Sequence, residues 1–173
     1  MEKISYVSLI FSSYSHFFHK LAAIRYKALF VCKQMAVYYF DTCIWRDHYE
    51  ARYGFGGRPI GSDASKLFIK IIKDKDTLLY SDLIIRELKS DYADSVINEM
   101  FNILFCTGVL KKINITKKDY GKAKNISFSR SIPVGDVLHA LLASENNAIL
   151  ISQDNHFQKL KDIVAIKKPE EIV

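Results

Sequence analysis

The sequence has few cysteines and no long apolar run, and both absences restrict the class of protein. The three cysteines, Cys32, Cys43 and Cys106, are an odd number without metal-ligand spacing, which argues against a disulfide framework and a cysteine zinc site. The longest uncharged stretch, residues 4–19, is shorter than the roughly 20 residues of a membrane span. We find no internal repeat or low-complexity tract. A cytoplasmic protein without a stable membrane span is therefore predicted.

The composition predicts one globular domain that is preceded by an extension. Of the 173 residues, 49% are apolar and 25% are charged, as in ordinary soluble domains. Residues 1–34 are aromatic and then basic, and the regular pattern starts only at Met35. We therefore predict a domain over residues 35–173 and an N-terminal extension over residues 1–34. The preferred explanation of the extension is an upstream start codon, and a basic amphipathic segment is the alternative.

Positive charge is concentrated in one internal segment. The whole chain carries a net charge of +6, and residues 111–130 alone contain seven basic residues and one acidic residue. Such a segment suits a polyanionic partner such as RNA, because phosphates attract cations over about a Debye length. A solvated helix and strand edge is the open alternative. The candidate RNA contacts are Lys111, Lys112, Lys117, Lys118 and Arg130.

Short apolar runs alternate with amphipathic segments from Met35 onward. The runs predict strands at residues 36–40, 76–80, 109–115, 148–152 and 163–166. Helices are predicted after Ser62 and Ser81, which are the candidate N-caps, at 92–107, after a Thr116/Asp119 capping box, from Pro133, and at 155–161. A long loop punctuated by glycines is predicted from Trp45 to Gly61. Strands alternating with helices predict an α/β fold with a parallel sheet covered on both faces.

Four acidic residues occupy positions where this pattern predicts a ligand site. Asp41 and Asp154 follow strands, Asp136 lies in the first turn of the Pro133 helix, and Glu87 lies on the apolar side of its helix. Open α/β sheets bind ligands at the carboxyl ends of their strands. Four carboxylates in one pocket repel one another unless a hard divalent cation such as Mg²⁺ compensates. Taken singly, three of them have structural alternatives: Asp41 in a turn, Asp154 as a helix cap, and Asp136 as a first-turn acid.

The same segments, in this order, resemble the PIN-domain ribonucleases. The matching pieces are YYFDTCIW at 38–45, SDLIIRELK at 81–89, IPVGDVLHALLA at 132–143, ILISQDNHF at 149–157 and the closing KKPEEIV. The resemblance covers residues 35–173. It implies a three-layer α/β/α sandwich with a mainly parallel central sheet, and divalent-metal-dependent cleavage of RNA with Mg²⁺ or Mn²⁺ as cofactor. Many members of the family are similar to the toxin of a toxin–antitoxin pair.

The resemblance also implies residue roles. Asp41, Glu87, Asp136 and Asp154 would be the catalytic, metal-binding acids. Around them we expect neighbouring or substrate-contacting residues, which are Thr42, Ser152, Asn155 and His139. For His139, a hydrogen-bonded helix histidine is the alternative. The expected partners are RNA, an antitoxin protein and, as a further possibility, a second copy of the chain.

Two other functions remain open. One is a catalytically silent PIN-like module that binds RNA or protein. The other is a phosphoryl-transfer enzyme with Asp41 as acceptor, which is disfavoured because Cys43 stands where such enzymes commonly place a second carboxylate. The aromatic residues of the predicted loop could stack on single-stranded bases, or could cover a partner helix or a dimer contact. These residues are Trp45, Tyr49, Tyr53 and Phe55.

Overall fold

Over residues 35–173, helices connect the successive strands. The computed structural model describes residues 35–173, and the predicted extension over residues 1–34 lies outside them. The strands are β1 (Val37–Phe40), β2 (Thr77–Tyr80), β3 (Leu110–Lys112), β4 (Ile149–Ile151) and β5 (Ile166–Lys167). The helices are α1 (Thr42–Tyr49), α2 (Ile60–Asp74), α3 (Asp82–Leu88), α4 (Asp94–Cys106), α5 (Lys117–Arg130) and α6 (Val134–Glu145). Short 3₁₀ helices span Phe55–Gly57, Asn155–Leu160 and Pro169–Glu171. Among these helices, none combines the length and apolar character needed to cross a membrane.

The five strands form one parallel sheet in the order β3-β2-β1-β4-β5. β1 is central, and its residues Tyr38, Tyr39 and Phe40 are buried. Strands that are covered on both faces need continuous apolar runs, which explains why β1, β2 and β4 lack an alternating pattern. The predicted parallel α/β sheet is confirmed.

The strand order reverses direction between β1 and β4. From β1 the chain builds outward through β2 to β3, and it then returns to place β4 and β5 on the other side of β1. The connection between two parallel strands is right-handed in nearly all sheets. Because the chain adds β2 and β3 on one side of β1 and then β4 and β5 on the other, α1–α4 lie on one face of the sheet and α5 and α6 on the opposite face. This gives the predicted three-layer α/β/α sandwich. It also creates a crevice at the carboxyl ends of β1 and β4.

Aromatic packing joins α1, α2 and α4 to the sheet. The ring of Trp45 stacks parallel to Phe101, with centroids 4.1 Å apart, and meets the edge of Phe68 at 5.2 Å. Phe68 also contacts Phe40 of β1 at 5.0 Å. Aromatic pairs at these separations contribute beyond the area that they bury. Trp45 is therefore a core residue, with 1% of its surface exposed.

The first five residues of the predicted loop from Trp45 to Gly61 belong to a helix, so that prediction was wrong there. Helix α1 spans Thr42–Tyr49, and the side chain of Asp41 caps it by accepting a hydrogen bond from the Thr42 amide at 2.7 Å. Ile44 and Trp45 anchor the helix in the core. Tertiary packing thus decides the conformation of a segment too short and too polar to show a clear helical period.

Two predicted boundaries also need correction. Helix α2 begins at Ile60 and not after Ser62; a Cβ on Gly61 would lie 2.4 Å from the Asp47 carbonyl oxygen, so only glycine lets its first turn approach α1 this closely. The last strand is Ile166–Lys167 and not residues 163–166. Its predicted first residues form a turn, since the amides of Ile163 and Val164 both donate to the Leu160 carbonyl.

The predicted capping box at the start of α5 is confirmed. Thr116 Oγ1 accepts from the Asp119 amide at 3.3 Å, and Asp119 Oδ2 accepts from the Thr116 amide at 2.7 Å. That backbone hydrogen bond lowers the pKa of the Asp119 carboxyl. The stabilisation is therefore complete at neutral pH and is lost as the pH falls through the lowered pKa.

Thr116→Ala is expected to lower the free energy of unfolding by about 1 kcal/mol, because it removes the acceptor for an otherwise unpaired helix amide. Ser62→Ala is the matched control: Ser62 was predicted as an N-cap but is exposed inside the first turn of α2. Its effect should stay within about 0.5 kcal/mol. Urea unfolding of both variants measures the difference, and equal losses would contradict the assignment of these two helix starts.

Candidate metal centre

The four predicted acids are carried by segments that meet at the reversal point of the sheet. Asp41 directly follows β1, and its amide donates to the carbonyl of Ile151, the last residue of β4, at 3.0 Å. Asp154 lies three residues beyond β4, at the start of a 3₁₀ helix. Asp136 is in the first turn of α6, and Glu87 is in the last turn of α3.

Hydrogen bonds fix the two carboxylates that follow strands. Asp41 Oδ1 accepts from the Thr42 amide, and its Oδ2 accepts from the Ser152 hydroxyl at 2.8 Å. The Ser152 hydroxyl oxygen accepts in turn from the Asp154 amide at 3.0 Å. Asp154 Oδ1 caps its own helix through the amide of His156 at 2.8 Å. The cap alternative for Asp154 is therefore observed, whereas Asp41 caps a helix and does not lie in a turn. These hydrogen bonds orient both acids at the sheet edge.

Glu87 receives two hydrogen bonds on the same carboxylate oxygen. Thr42 Oγ1 donates to Oε2 at 2.5 Å, and His139 Nε2 lies 3.0 Å from it. Burial of the Glu87 carboxyl opposes its ionisation, but the hydrogen bonds from His139 and Thr42 outweigh burial and lower its pKa. The other oxygen, Oε1, is next to α6: a Cβ on Gly135 would lie 3.3 Å from it.

Asp136 has the least satisfied carboxylate of the four. Its Oδ2 is buried and accepts no hydrogen bond within residues 35–173, although Nδ1 of His156 lies 3.4 Å away. Burial raises the pKa of Asp136, and the charges of Asp41 and Asp154 raise it further. A divalent cation removes both penalties, since it coordinates the free oxygen and offsets the repulsion.

Two groups of potential ligand atoms result. Asp41, Glu87 and His139 offer atoms that all lie within 4.8 Å of one another, and so do Asp136, Asp154 and His156. Charge couples the two groups, because Asp41 of the first raises the pKa of Asp136 in the second. The carboxylate oxygens of these groups suit Mg²⁺ or Mn²⁺, and the buried free oxygen of Asp136 fits such an ion.

The remaining predicted neighbours differ in their surroundings. Thr42 and Ser152 are buried and bind the acids directly. His139 is also buried, at 1% exposure, and its Nε2 lies 3.0 Å from Glu87 Oε2. Asn155 is exposed at the start of its 3₁₀ helix. His156 was not predicted; its position two residues after Asp154, within one helical turn, was the available signal.

Comparison with solved structures identifies the architecture. The chain is similar to VapBC2 from Rickettsia felis bound to a DNA fragment from its promoter, with 18% identity, a TM-score of 0.55, and coverage of 76% of this chain and 98% of that one. It is also similar to a toxin–antitoxin complex from Klebsiella pneumoniae, with 13% identity, a TM-score of 0.51, and coverage of 76% and 97%. The chain has a PIN-like fold. No protein-family model and no curated protein sequence matches it.

The basic residues of this PIN-like domain divide into paired and unpaired groups. Lys112 forms an ion pair with Asp82 at 2.6 Å, and Arg130 binds Asp162 through two hydrogen bonds of 2.6 and 2.7 Å. Of the five candidate RNA contacts, three exposed lysines form no ion pair with any residue of the described range. They are Lys111, Lys117 and Lys118. The unpaired group is the better candidate for phosphate contacts, because no acid competes for its charge.

The aromatic residues of the PIN-like domain also divide. Trp45 is in the core, so its predicted role in base stacking or at a partner surface was wrong. Tyr53 and Phe55 are exposed, and Tyr49 is partly exposed against Tyr92. For these three the predicted surface role stays a prediction.

Proposed function

We propose that this PIN-like domain is a divalent-metal-dependent endoribonuclease that hydrolyses phosphodiester bonds in RNA. The proposed metal-binding acids are Asp41, Glu87, Asp136 and Asp154, with Thr42 and Ser152 orienting two of them. The buried, unpaired Oδ2 of Asp136 is the observation that carries the proposal. An isolated carboxylate oxygen of this kind destabilises the fold unless a ligand uses it.

The residues of the site supply position and charge. Thr42 and Ser152 each hold one carboxylate by a hydroxyl hydrogen bond, so that Glu87 and Asp41 do not have to reorganise. Asp136 and Asp154 add negative charge that favours a cation at the same edge. When bound, Mg²⁺ or Mn²⁺ lowers the pKa of a water molecule and offsets the charge that develops on the scissile phosphate.

Three observations support RNA as substrate and an antitoxin as partner. The sequence resembles PIN-domain ribonucleases over residues 35–173, and the similar solved structures are toxin–antitoxin complexes. The third is the set of unpaired lysines on β3 and at the start of α5, which suits a phosphate backbone. We propose accordingly that the chain acts on RNA in the cytoplasm and that an antitoxin restrains it.

Metal dependence is the first test. The purified full-length chain is incubated with a pool of end-labelled random-sequence RNA in Mg²⁺, in Mn²⁺, in EDTA, and in EDTA followed by excess metal. We expect RNA cleavage with either ion, loss of cleavage in EDTA, and recovery of cleavage when metal is added back. The reason is that the acids need a bound cation to position a water molecule and the phosphate.

A variant with a substitution outside the site controls for differences between protein preparations and for contaminating ribonuclease. Asp94→Asn changes an acid whose side chain is 72% exposed, at the start of α4, and should cleave like the wild type. Cleavage that persists in EDTA would contradict the proposal. Binding of Mn²⁺ and RNA without cutting would replace it with the catalytically silent alternative.

A further inference from the structure

A chain of buried hydrogen bonds leads from the sheet interior to Glu87. Ser81 Oγ lies 2.8 Å from the Tyr39 hydroxyl, which lies 3.0 Å from His139 Nδ1. His139 Nε2 completes the chain at 3.0 Å from Glu87 Oε2. Ser81, Tyr39 and His139 are each no more than 1% exposed. These hydrogen bonds link β1, α6, α3 and the residue between β2 and α3, and their partners are 42 to 100 residues apart in the sequence.

The donor and the acceptor in each of these hydrogen bonds follow from the carboxylate of Glu87, which ends the network. An ionised carboxylate only accepts hydrogen bonds, so Nε2 of His139 carries the proton toward Glu87. Nδ1 then faces the Tyr39 hydroxyl, whose second partner is Ser81. Ser81 precedes α3 but does not cap it with its side chain, contrary to the sequence-based prediction, because its hydroxyl is engaged by Tyr39.

The two oxygens of Glu87 are therefore not equivalent. Oε2 accepts from both Thr42 and His139, whereas Oε1 accepts no hydrogen bond within the described range. Oε1 lies beside Gly135, the residue before Asp136, where a side chain would come within 3.3 Å of it. The carboxylate is thus held through Oε2, and Oε1 is left free beside the residue that precedes Asp136.

We propose that His139 is a positioning residue that holds Glu87 as a metal ligand through its free oxygen. The inference rests on the metal site of the proposed function. A purely structural role explains the network less well, because an apolar residue could fill this part of the core without burying three polar groups. Outer-shell partners of metal ligands characteristically fix ligand orientation in this way.

Mn²⁺ affinity tests the proposal without reference to cleavage. The full-length chain is titrated with Mn²⁺, and free Mn²⁺ is followed by electron paramagnetic resonance. His139→Leu, which fills the space without a donor, should weaken Mn²⁺ binding by about 10- to 100-fold. His139→Gln, whose amide can donate to Glu87, should recover most of that loss, and Tyr39→Phe should fall between the wild type and His139→Leu.

A destabilised variant separates positioning from loss of fold. Ile71→Val shortens a fully buried side chain near the end of α2, away from the acids, and should leave Mn²⁺ affinity unchanged although it lowers thermal stability. If His139→Leu binds Mn²⁺ as tightly as the wild type, the positioning role is overturned and the proposed function is not. The same holds if His139→Gln binds Mn²⁺ no more tightly than His139→Leu. Equal weakening in Ile71→Val would overturn it too, whereas a wild type that binds no Mn²⁺ would overturn the proposed function as well.

Discussion

Asp136→Asn is expected to lower the rate of metal-dependent RNA cleavage by at least about 100-fold. Loss of an outer-shell partner alone typically lowers metal affinity or activity by about 10- to 100-fold, and this change removes a proposed direct ligand and its charge. The side chain keeps its shape, so the effect reports chemistry and not packing. Single-turnover cleavage in Mn²⁺, with Asp94→Asn in parallel, measures it.

The same substitution should leave the metal-free fold at least as stable as the wild type. Burial and the neighbouring acids raise the pKa of Asp136, so its charged form destabilises the folded state near neutral pH. Asparagine removes that charge. We therefore expect the variant to unfold in EDTA at a midpoint temperature no lower than that of the wild type. Adding Mn²⁺ should raise this temperature less for the variant than for the wild type. Full cleavage by a folded Asp136→Asn variant would contradict the assignment of the site.

Trp45→Ala is expected to lower the free energy of unfolding by about 3–5 kcal/mol. The indole is 1% exposed and packs between Phe68 and Phe101, so its removal leaves a cavity that the surrounding helices fill only in part. A loss of this size is a large fraction of the stability of an ordinary domain. Guanidinium unfolding followed by circular dichroism measures it without the tryptophan signal.

Phe55→Ala is the matched control for that experiment. Phe55 belongs to the same aromatic segment but is fully exposed in a short 3₁₀ helix, so its loss should change stability by no more than about 0.5 kcal/mol. If Trp45→Ala unfolds at nearly the same denaturant concentration as Phe55→Ala, the indole does not occupy the core.

The sequence predicted well those features that depend on the residues of a single strand or helix. The apolar runs at 36–40 and 148–152 predict buried strands because a strand covered on both faces excludes polar residues. Asp41 directly follows the first of these strands, and Asp154 lies three residues beyond the second. Both acids lie at the same edge because the carboxyl ends of parallel strands meet there. The Thr116 and Asp119 capping box is also local, since both of its hydrogen bonds span three residues.

The features that the sequence did not predict depend on partners far along the chain. His139 was predicted near the acids, but its partners were not, because Glu87 and Tyr39 lie 52 and 100 residues away in the sequence. Helix α1 was not predicted for a related reason. It is stabilised by the stacking of Trp45 on Phe101, and a contact with a residue so far along the sequence cannot be seen in the local residue pattern. The strand order, which creates the crevice, is likewise a tertiary property.

The central claim is that four acids gather at the carboxyl ends of β1 and β4 to bind divalent cations. Crystals of the full-length chain grown with Mn²⁺ test it directly through anomalous scattering. We predict an anomalous peak bounded by the carboxylates of Asp41, Glu87, Asp136 and Asp154, and its loss in crystals of Asp136→Asn. Mn²⁺ bound only elsewhere, or an empty crevice at saturating Mn²⁺, would contradict the account.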